Sequence, residues 1–355
     1  MDLIQSYKEE LQLIRKPWTR VWVAVFVLSL ILLPWVAPQH ITYITTIIFI
    51  YSIGVQGQNL LIGYTGQISF GQAGFLAIGA FTFGHLSIHG VPWFLSLLGA
   101  GLAAGLFGLV VGFPSLRLKG PYLAIATMGF GIAVYQVFVN SETLSGGRMG
   151  MAVQKLSPLF GFSPITTRYY FNFLMAALFT LASYNIISSY LGRAFIAIRD
   201  RDIAAELIGI NVFKYKLVSF AISSFYAGVA GGLWCYYMTI INPEAFQLSI
   251  SIDYVAMIIV GGMGTLFGSV YGAVFVVLLP EAIQRLMEVL QPVLHMEYTF
   301  AAFKQIVFGV IIVIFLVFEP KGLSEIFSRL GGRISKRKGK EASESGGLAQ
   351  RKNDS

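Results

Sequence analysis

The sequence predicts an all-α integral membrane protein of about ten transmembrane helices, some of them broken or re-entrant, and three observations carry that expectation. Of 355 residues, 56% are hydrophobic and only 12% charged, against roughly 25% charged in an ordinary soluble domain. From Val21 to Leu116 there is no Asp, Glu, Lys or Arg. A charge at a bilayer centre costs roughly 2.5 to 3.5 kcal/mol on the insertion scale, so a charge-free run of this length marks repeated spans. Finally, the basic residues behind the net charge of +8 fall in short blocks between apolar runs. That pattern orients a membrane protein and removes nucleic acid as the explanation of the charge.

A span needs about 20 mostly apolar residues, which places helices near 21–37, 41–62, 70–88, 92–113, 121–140, 169–190, 215–240, 248–262, 266–288 and 300–318. Two places break the pattern: 248–262 is short, and glycines interrupt 57–75. Lys8, Arg15, Lys16 and Arg20 precede the first helix, and Arg117 and Lys119 follow the fourth. Both blocks belong in the cytoplasm. Ten helices then put residues 1–20, the 192–213 segment and the 321–355 tail on the cytoplasmic side of the membrane. The 141–168 loop, despite Arg148, Lys155 and Arg168, falls on the outer side. The N-terminus lacks a signal-peptide pattern, since Glu9 and Glu10 mix with its lysines and arginines. After Arg329 the chain is rich in Gly, Ser, Lys, Arg and Glu, a composition that cannot bury enough apolar surface to order itself.

Three segments carry candidate chemistry. The first, 63–80, sets Thr65, Gln67, Ser69 and Gln72 among glycines at membrane depth. Irregular backbone survives there only when buried in protein or lining a cavity, so these residues, with Thr127, are candidates for a translocation path. Close helix packing explains the glycines equally well, and explains Ala73 and Ala77 better. The second, 261–273, contains Gly262-Met-Gly264, but three residues rather than two separate Gly264 from Gly268, and no strand precedes it. A dinucleotide site is excluded, and Gly264, Gly268 and Gly272 suit a helix contact. The ladders Gly101, Gly105, Gly108, Gly112 and Ser224, Gly228, Gly232 read as packing too.

The third segment, Gly192 to Lys214, alternates Ile198, Ile203, Leu207 and Ile208 with charges at roughly helical spacing. It reads as one short amphipathic helix at the cytoplasmic surface, ended by Gly209-Ile-Asn211. It either rests on lipid headgroups or docks a soluble partner. No P-loop occurs in the chain. His85 and His89 lack a neighbouring carboxylate, Cys235 is alone, and Asp253 and Glu281 sit near predicted helix ends. No metal site, cofactor or catalytic constellation is expected.

Taken together, Gly63-Tyr-Thr-Gly-Gln-Ile-Ser-Phe-Gly-Gln-Ala-Gly-Phe75, Pro121-Tyr-Leu-Ala-Ile-Ala-Thr-Met-Gly-Phe-Gly131, Ser145-Gly-Gly-Arg-Met-Gly150, the 192–211 stretch, Gly261-Gly-Met-Gly-Thr265 and Glu319-Pro-Lys-Gly-Leu323 resemble the LivM type of branched-chain amino acid ABC permease. The resemblance runs from about Ile44 to Leu323. It implies a ten-helix, non-enzymatic subunit embedded in the lipid of a bacterial inner membrane, with the 141–168 loop periplasmic, and paired with a LivH-like permease. Two cytoplasmic ATP-binding subunits of the LivG and LivF kind and a periplasmic amino-acid-binding protein would complete the importer. It also implies that Arg193, Arg199, Asp200, Asp202, Ala204, Ala205, Gly209 and Asn211 couple to the ATPases. In such importers the docking segment follows Glu-Ala-Ala-x-x-x-Gly, and here Ile203 stands where the family has Glu, with Asp202 beside it. Permeases of this type also serve urea and amide importers, and a stand-alone secondary transporter is a further alternative, though 21–116 offers it no coupling-ion site.

Overall fold

The computed structural model describes residues 17–115, 120–153 and 164–294, with scattered positions between 306 and 323; side chains are described from Val25 to Arg285 within these ranges and at the scattered positions. The described residues are almost wholly helical, and they fall into two units divided at Val255/Ala256. Helices α1 (Pro17–Val36), α2 (Gln39–Asn59), α3 (Gln72–Ile88), α4 (Trp93–Ser115), α5 (Pro121–Asn140) and α6 (Pro164–Ser188) come first. Then follow α7 (Tyr190–Asp200), α8 (Asp202–Leu207), α9 (Val212–Met238), α10 (Leu248–Gly261) and α11 (Leu266–Leu294). Six are long and apolar enough to cross a membrane, and α1, α3 and α10 are shorter apolar helices. Nine of the ten predicted spans thus have a counterpart among the described residues; the tenth, 300–318, and the tail lie mostly or wholly outside them.

The first unit is built around α9. Its small residues form two seams. On one side Gly228 faces Ala100 and Ala104 of α4, while Ser224 sits against Gly108; on the other, a Cβ at Gly231 would overlap the Leu76 carbonyl of α3, and one at Gly79 the backbone of Gly228. The two ladders read from the sequence as packing surfaces are therefore packed against each other. Small residues let helix backbones approach closely, and membrane helices depend on this because lipid removes the hydrophobic drive between them. Cys235 is fully buried in this core.

Helices α5 and α6 do the opposite. Tyr122, Ile125 and Val137 on α5, and Leu174, Leu178 and Leu181 on α6, are all exposed. Apolar side chains spread over whole helix faces in this way require lipid or another apolar partner. At one end of the unit, Met151–Ala152 pairs antiparallel with Ile240–Ile241, and Val153 N–H extends the ladder to Thr239 O at 2.8 Å. Sequence periodicity gave no sign of this two-residue ribbon. Helix α6 starts at Pro164 rather than 169, so Arg168 lies in a helix and not in the preceding loop, and it donates to Tyr237 O at 3.0 Å.

In the second unit, Gly261, Gly268 and Gly272 let α10 and α11 meet backbone to backbone, Gly272 lying on the Met257 carbonyl. Gly322 has φ +74° and sits directly against Gly261 and Gly262. Two of the sequence motifs meet here, and neither tolerates a Cβ. Glu281 lies inside α11 and, in the part of α10 that belongs to the first unit, Asp253 lies inside that helix; both are half-buried. That corrects the expectation that they cap or flank helix ends: α10 starts at Leu248, too early for Asp253 to cap it, and α11 runs on to Leu294.

Candidate functional site

The interruption expected at 57–75 is real and has an ordered geometry. Helix α2 widens into a π turn over Leu60–Tyr64, then stops. Gly66 takes φ +74° and residues 65–71 run without regular structure until α3 begins at Gln72. π turns are rare and concentrate at functional sites, because they leave backbone groups without their helical partners. Backbone carbonyls take Gly66 N–H and Gln67 N–H, at 3.1 Å to Ile62 O and Leu61 O, and side chains meet several other groups near the break. Thr65 Oγ1 donates to Leu60 O at 2.9 Å, Gln58 Nε2 to Ser69 O at 3.0 Å, and Gln72 Nε2 to Gly54 O at 3.1 Å. Phe70 N–H donates to Thr127 Oγ1 at 3.0 Å, and Ala73 N–H to Ser251 Oγ at 2.9 Å. Gln67 Nε2 reaches across to Ser219 Oγ at 2.8 Å and Lys216 O at 3.3 Å on α9.

The basic segment sits against this break. Ser189 caps α7 by accepting Leu191 N–H at 3.2 Å, and α7 then turns Ala194, Phe195 and Ile198 inward. Phe195 is fully buried between Leu60 and Tyr64, the ends of the π turn, in a shell that includes Leu191, Tyr215 and Val218. One turn on, Arg199 Nη1 donates to Gly63 O at 2.9 Å, and its stem lies over Gly66. The Arg199 guanidinium also meets Asp200 Oδ1 at 3.2 Å. Arg201 is extended, at φ −158°, and breaks the predicted single helix into α7 and α8. The physical reason is local: Asp202 Oδ1 accepts Ile203 N–H at 2.9 Å, starting a new helix rather than continuing the old one. Asp202 also pairs with Lys216 of α9 at 3.6 Å.

Residues 40–316 match a family model described as the branched-chain amino acid transport system permease component. The chain belongs to this permease family. It is 30% identical over 329 residues to the high-affinity branched-chain amino acid transport permease protein LivM of Escherichia coli, covering 84% of this chain and 74% of that one. The LivM protein of Salmonella typhimurium is 31% identical over 316 residues, covering 82% and 71%. A probable LivM protein of Methanocaldococcus jannaschii is 23% identical over 318 residues, covering 77% and 90%. No solved structure matches the chain significantly.

The permease brings part of the two predicted residue sets together, and leaves Ser69, Gln72 and Thr127 on one side and Arg193, Ala204, Ala205, Gly209 and Asn211 on the other outside the shared cleft. Thr65, Gln67, Arg199, Asp200, Asp202 and Lys216 line a single open cleft. Thr65, Gln67, Ser69, Gln72 and Thr127 are all buried within the subunit, and the polar bonds above tie them to backbone or to helix α9. Of the coupling candidates, Ala205 is buried, while Arg193 and Ala204 are exposed and Arg193 Nη1 donates to Ser188 O at 3.3 Å. Gly209, at φ +88°, ends α8, and Asn211 Oδ1 caps α9 by accepting Lys214 N–H at 3.0 Å. Two features escaped the sequence. Phe195 is the anchor of the whole segment, and its only signal was one aromatic residue three before Ile198. The other is that Ile198 turns into the core while Ile203, Leu207 and Ile208, placed with it on the apolar side of one amphipathic helix, are 72%, 84% and 75% exposed and form a separate projecting apolar knob. His85 Nε2 contacts Leu144 O at 2.7 Å and His89 Nδ1 contacts His85 O at 2.8 Å, and no cluster of three or more His, Cys, Asp or Glu that could hold a metal ion occurs among the described residues.

Proposed function

We propose that this chain is the permease subunit of an ABC importer for branched-chain amino acids, and that α7 and α8 form the lever by which ATPase subunits move the broken helix. The observation that carries the lever is the joint grip of Phe195 and Arg199 on the π turn, with the apolar knob of Ile203, Leu207 and Ile208 projecting at its far end. Exposed apolar residues clustered on a rigid helix are suited to anchoring a protein partner. The substrate class follows the relatives named LivM.

The partners are a LivH-like permease, two cytoplasmic ATP-binding subunits that carry the hydrolysis, and a periplasmic amino-acid-binding protein. The full subunit has ten membrane helices in the bacterial inner membrane, with both termini cytoplasmic. ATP closes the two ATPases, the knob moves with them, and α7 carries the π turn and the start of α3 along as one body. Thr65, Gln67, Ser69, Gln72 and Thr127 hold that re-entrant stretch in shape beside the path, so that displacement of the break opens or closes it. Coordinated ends of a discontinuous helix are a recurrent way to build such a moving element.

The reading is tested by uptake of labelled leucine into vesicles holding this chain, its permease partner, both ATPases and the binding protein. Uptake that needs ATP and every component is expected. Uptake by this chain alone, or uptake indifferent to ATP, would overturn it.

A further inference from the structure

The Ser145-Gly-Gly-Arg-Met-Gly150 motif takes no part in the break or the lever, and it belongs to the opposite end of the first unit. Helix α9 runs 27 residues, about 40 Å at 1.5 Å per residue, from beside the break to Met238, where the ribbon of Ile240–Ile241 with Met151–Ala152 follows. The motif packs on that ribbon. Gly146 and Gly150 take φ +74° and +75°, and a Cβ on either would overlap a carbonyl, of Gly150 or of Ile241. Ser145 Oγ donates to Ser141 O at 2.9 Å and accepts Gly147 N–H at 3.1 Å, while Asn242 Oδ1 accepts Glu244 N–H at 3.0 Å. Beneath, Met151, Val153 and Ile241 close over Gly84 of α3.

Thr239, which joins α9 to the ribbon, has φ +63° and is the one non-glycine residue at positive φ among the described residues. A β-branched residue is strained there. Such strain persists only where the surroundings fix the chain, and it clusters at clamps and switch regions. The cap formed by residues 141–153 and 239–246 is therefore rigid and stands on α3 and α9. These are the two helices that meet the break at their other ends, α3 starting at Gln72 and α9 holding Gln67 through Ser219.

Glu142, Arg148 and Glu244 are exposed on the cap, and charges of both signs place it in water rather than in hydrocarbon. Yet Met149 is 92% exposed, the most of any large apolar side chain among the described residues, and Ile240 is 64% exposed. Apolar side chains held out into water on a rigid frame mark a protein contact. Arg148 makes no ion pair among the described residues, so it is available to a carboxylate across that contact. With the lever facing the cytoplasm, the cap faces outward, where the ATPases do not reach. We propose that the cap, through Arg148, Met149 and Ile240, is the docking surface for the soluble amino-acid-binding protein, whose matching face is an apolar socket with an acidic rim; this rests on the amino-acid importer reading above. A frame already rigid loses little entropy on docking.

The test uses the complete importer in vesicles, with leucine uptake measured against the concentration of leucine-loaded binding protein supplied on the side of the cap. For the double variant Met149→Glu and Ile240→Glu, the half-saturating concentration is expected to rise by about tenfold or more, with the rate climbing back toward wild type as binding protein is added. Arg148→Glu should raise it as well. Because that substitution leaves the apolar residues in place, it decides alone should the double variant not accumulate in the membrane. Half-saturating concentrations equal to wild type overturn the docking surface. So does a double variant that accumulates but does not copurify with the partner permease, since the cap would then be a contact between permeases. A wild-type complex that imports no leucine at any concentration of binding protein overturns the importer reading itself, a result distinguishable from either.

Discussion

Replacing Gly228 by valine is expected to abolish accumulation of folded subunit in the membrane. The position has no slack on either side: its missing side chain is the space occupied by Ala100 and Ala104 of α4, and its backbone is the surface on which Gly79 of α3 rests. Overpacking a well-packed core costs about 1–3 kcal/mol even when side chains can shift. Here the atoms in the way are largely backbone, so two helices would have to part along their length. Gly129→Ala on α5 is the matched control, because nothing lies within 4 Å of a Cβ there. That substitution should leave yield unchanged or improve it, since alanine is the better helix former by about 1 kcal/mol. The yield of monodisperse protein in detergent and its thermal midpoint check both. Equal yields from G228V and G129A would mean that α9 is not the hub of the first unit.

The double substitution Ile203→Glu and Leu207→Glu is expected to leave the subunit folded and to stop transport. Both side chains project from α8 with most of their surface exposed, so charges there cost the isolated subunit little. Anchor residues at the centre of an interface dominate its energy, and burying two carboxylates against an apolar socket reverses their sign. Copurification of the ATPase subunits and ATP-driven leucine uptake should each fall by about tenfold or more, with detergent yield and thermal midpoint as in wild type. Normal uptake by the double variant would place the docking surface elsewhere.

Much of this was legible before the structure. The apolar runs located the helices because a span must satisfy its own backbone and hide it from lipid, and a run such as Pro121–Asn140 can do so in one way only. The glycine ladders were legible as contacts for the same reason, although which ladder meets which was not. The break at 57–75 could be seen from its polar residues among glycines. Its outcome could not: Gln67 reaches Ser219 across 152 positions of sequence, a partner that no local pattern names.

The basic segment was the least legible. Helical periodicity ran through Arg201, whereas the structure breaks there because Asp202 opens a new turn. Ile203 illustrates the same limit in reverse. Against the family pattern it looks like a lost acid, and in the fold it is part of an exposed apolar knob beside Asp202, whose carboxylate faces Lys216. Phe195 is one aromatic residue among many in a chain with 29 phenylalanines. Only the fold shows that it occupies the gap between Leu60 and Tyr64.

The central claim is that α7 and the π turn move as one body, and a reversible lock tests it directly. A Cβ at Gly66 would lie 3.7 Å from the Cβ of Arg199, within the span of a disulfide. The only native cysteine, Cys235, is buried and does not compete. In the importer carrying Gly66→Cys and Arg199→Cys, uptake is measured with the pair oxidised and then reduced. The reduced sample is the reference, so any cost of a side chain at positive φ is common to both. ATP-driven leucine uptake at least as fast in the oxidised state as in the reduced is the predicted result, because the disulfide restores a tie that is lost with the Arg199 guanidinium. Uptake lost on oxidation and restored on reduction would show that α7 slides against the broken helix, and would contradict the lever.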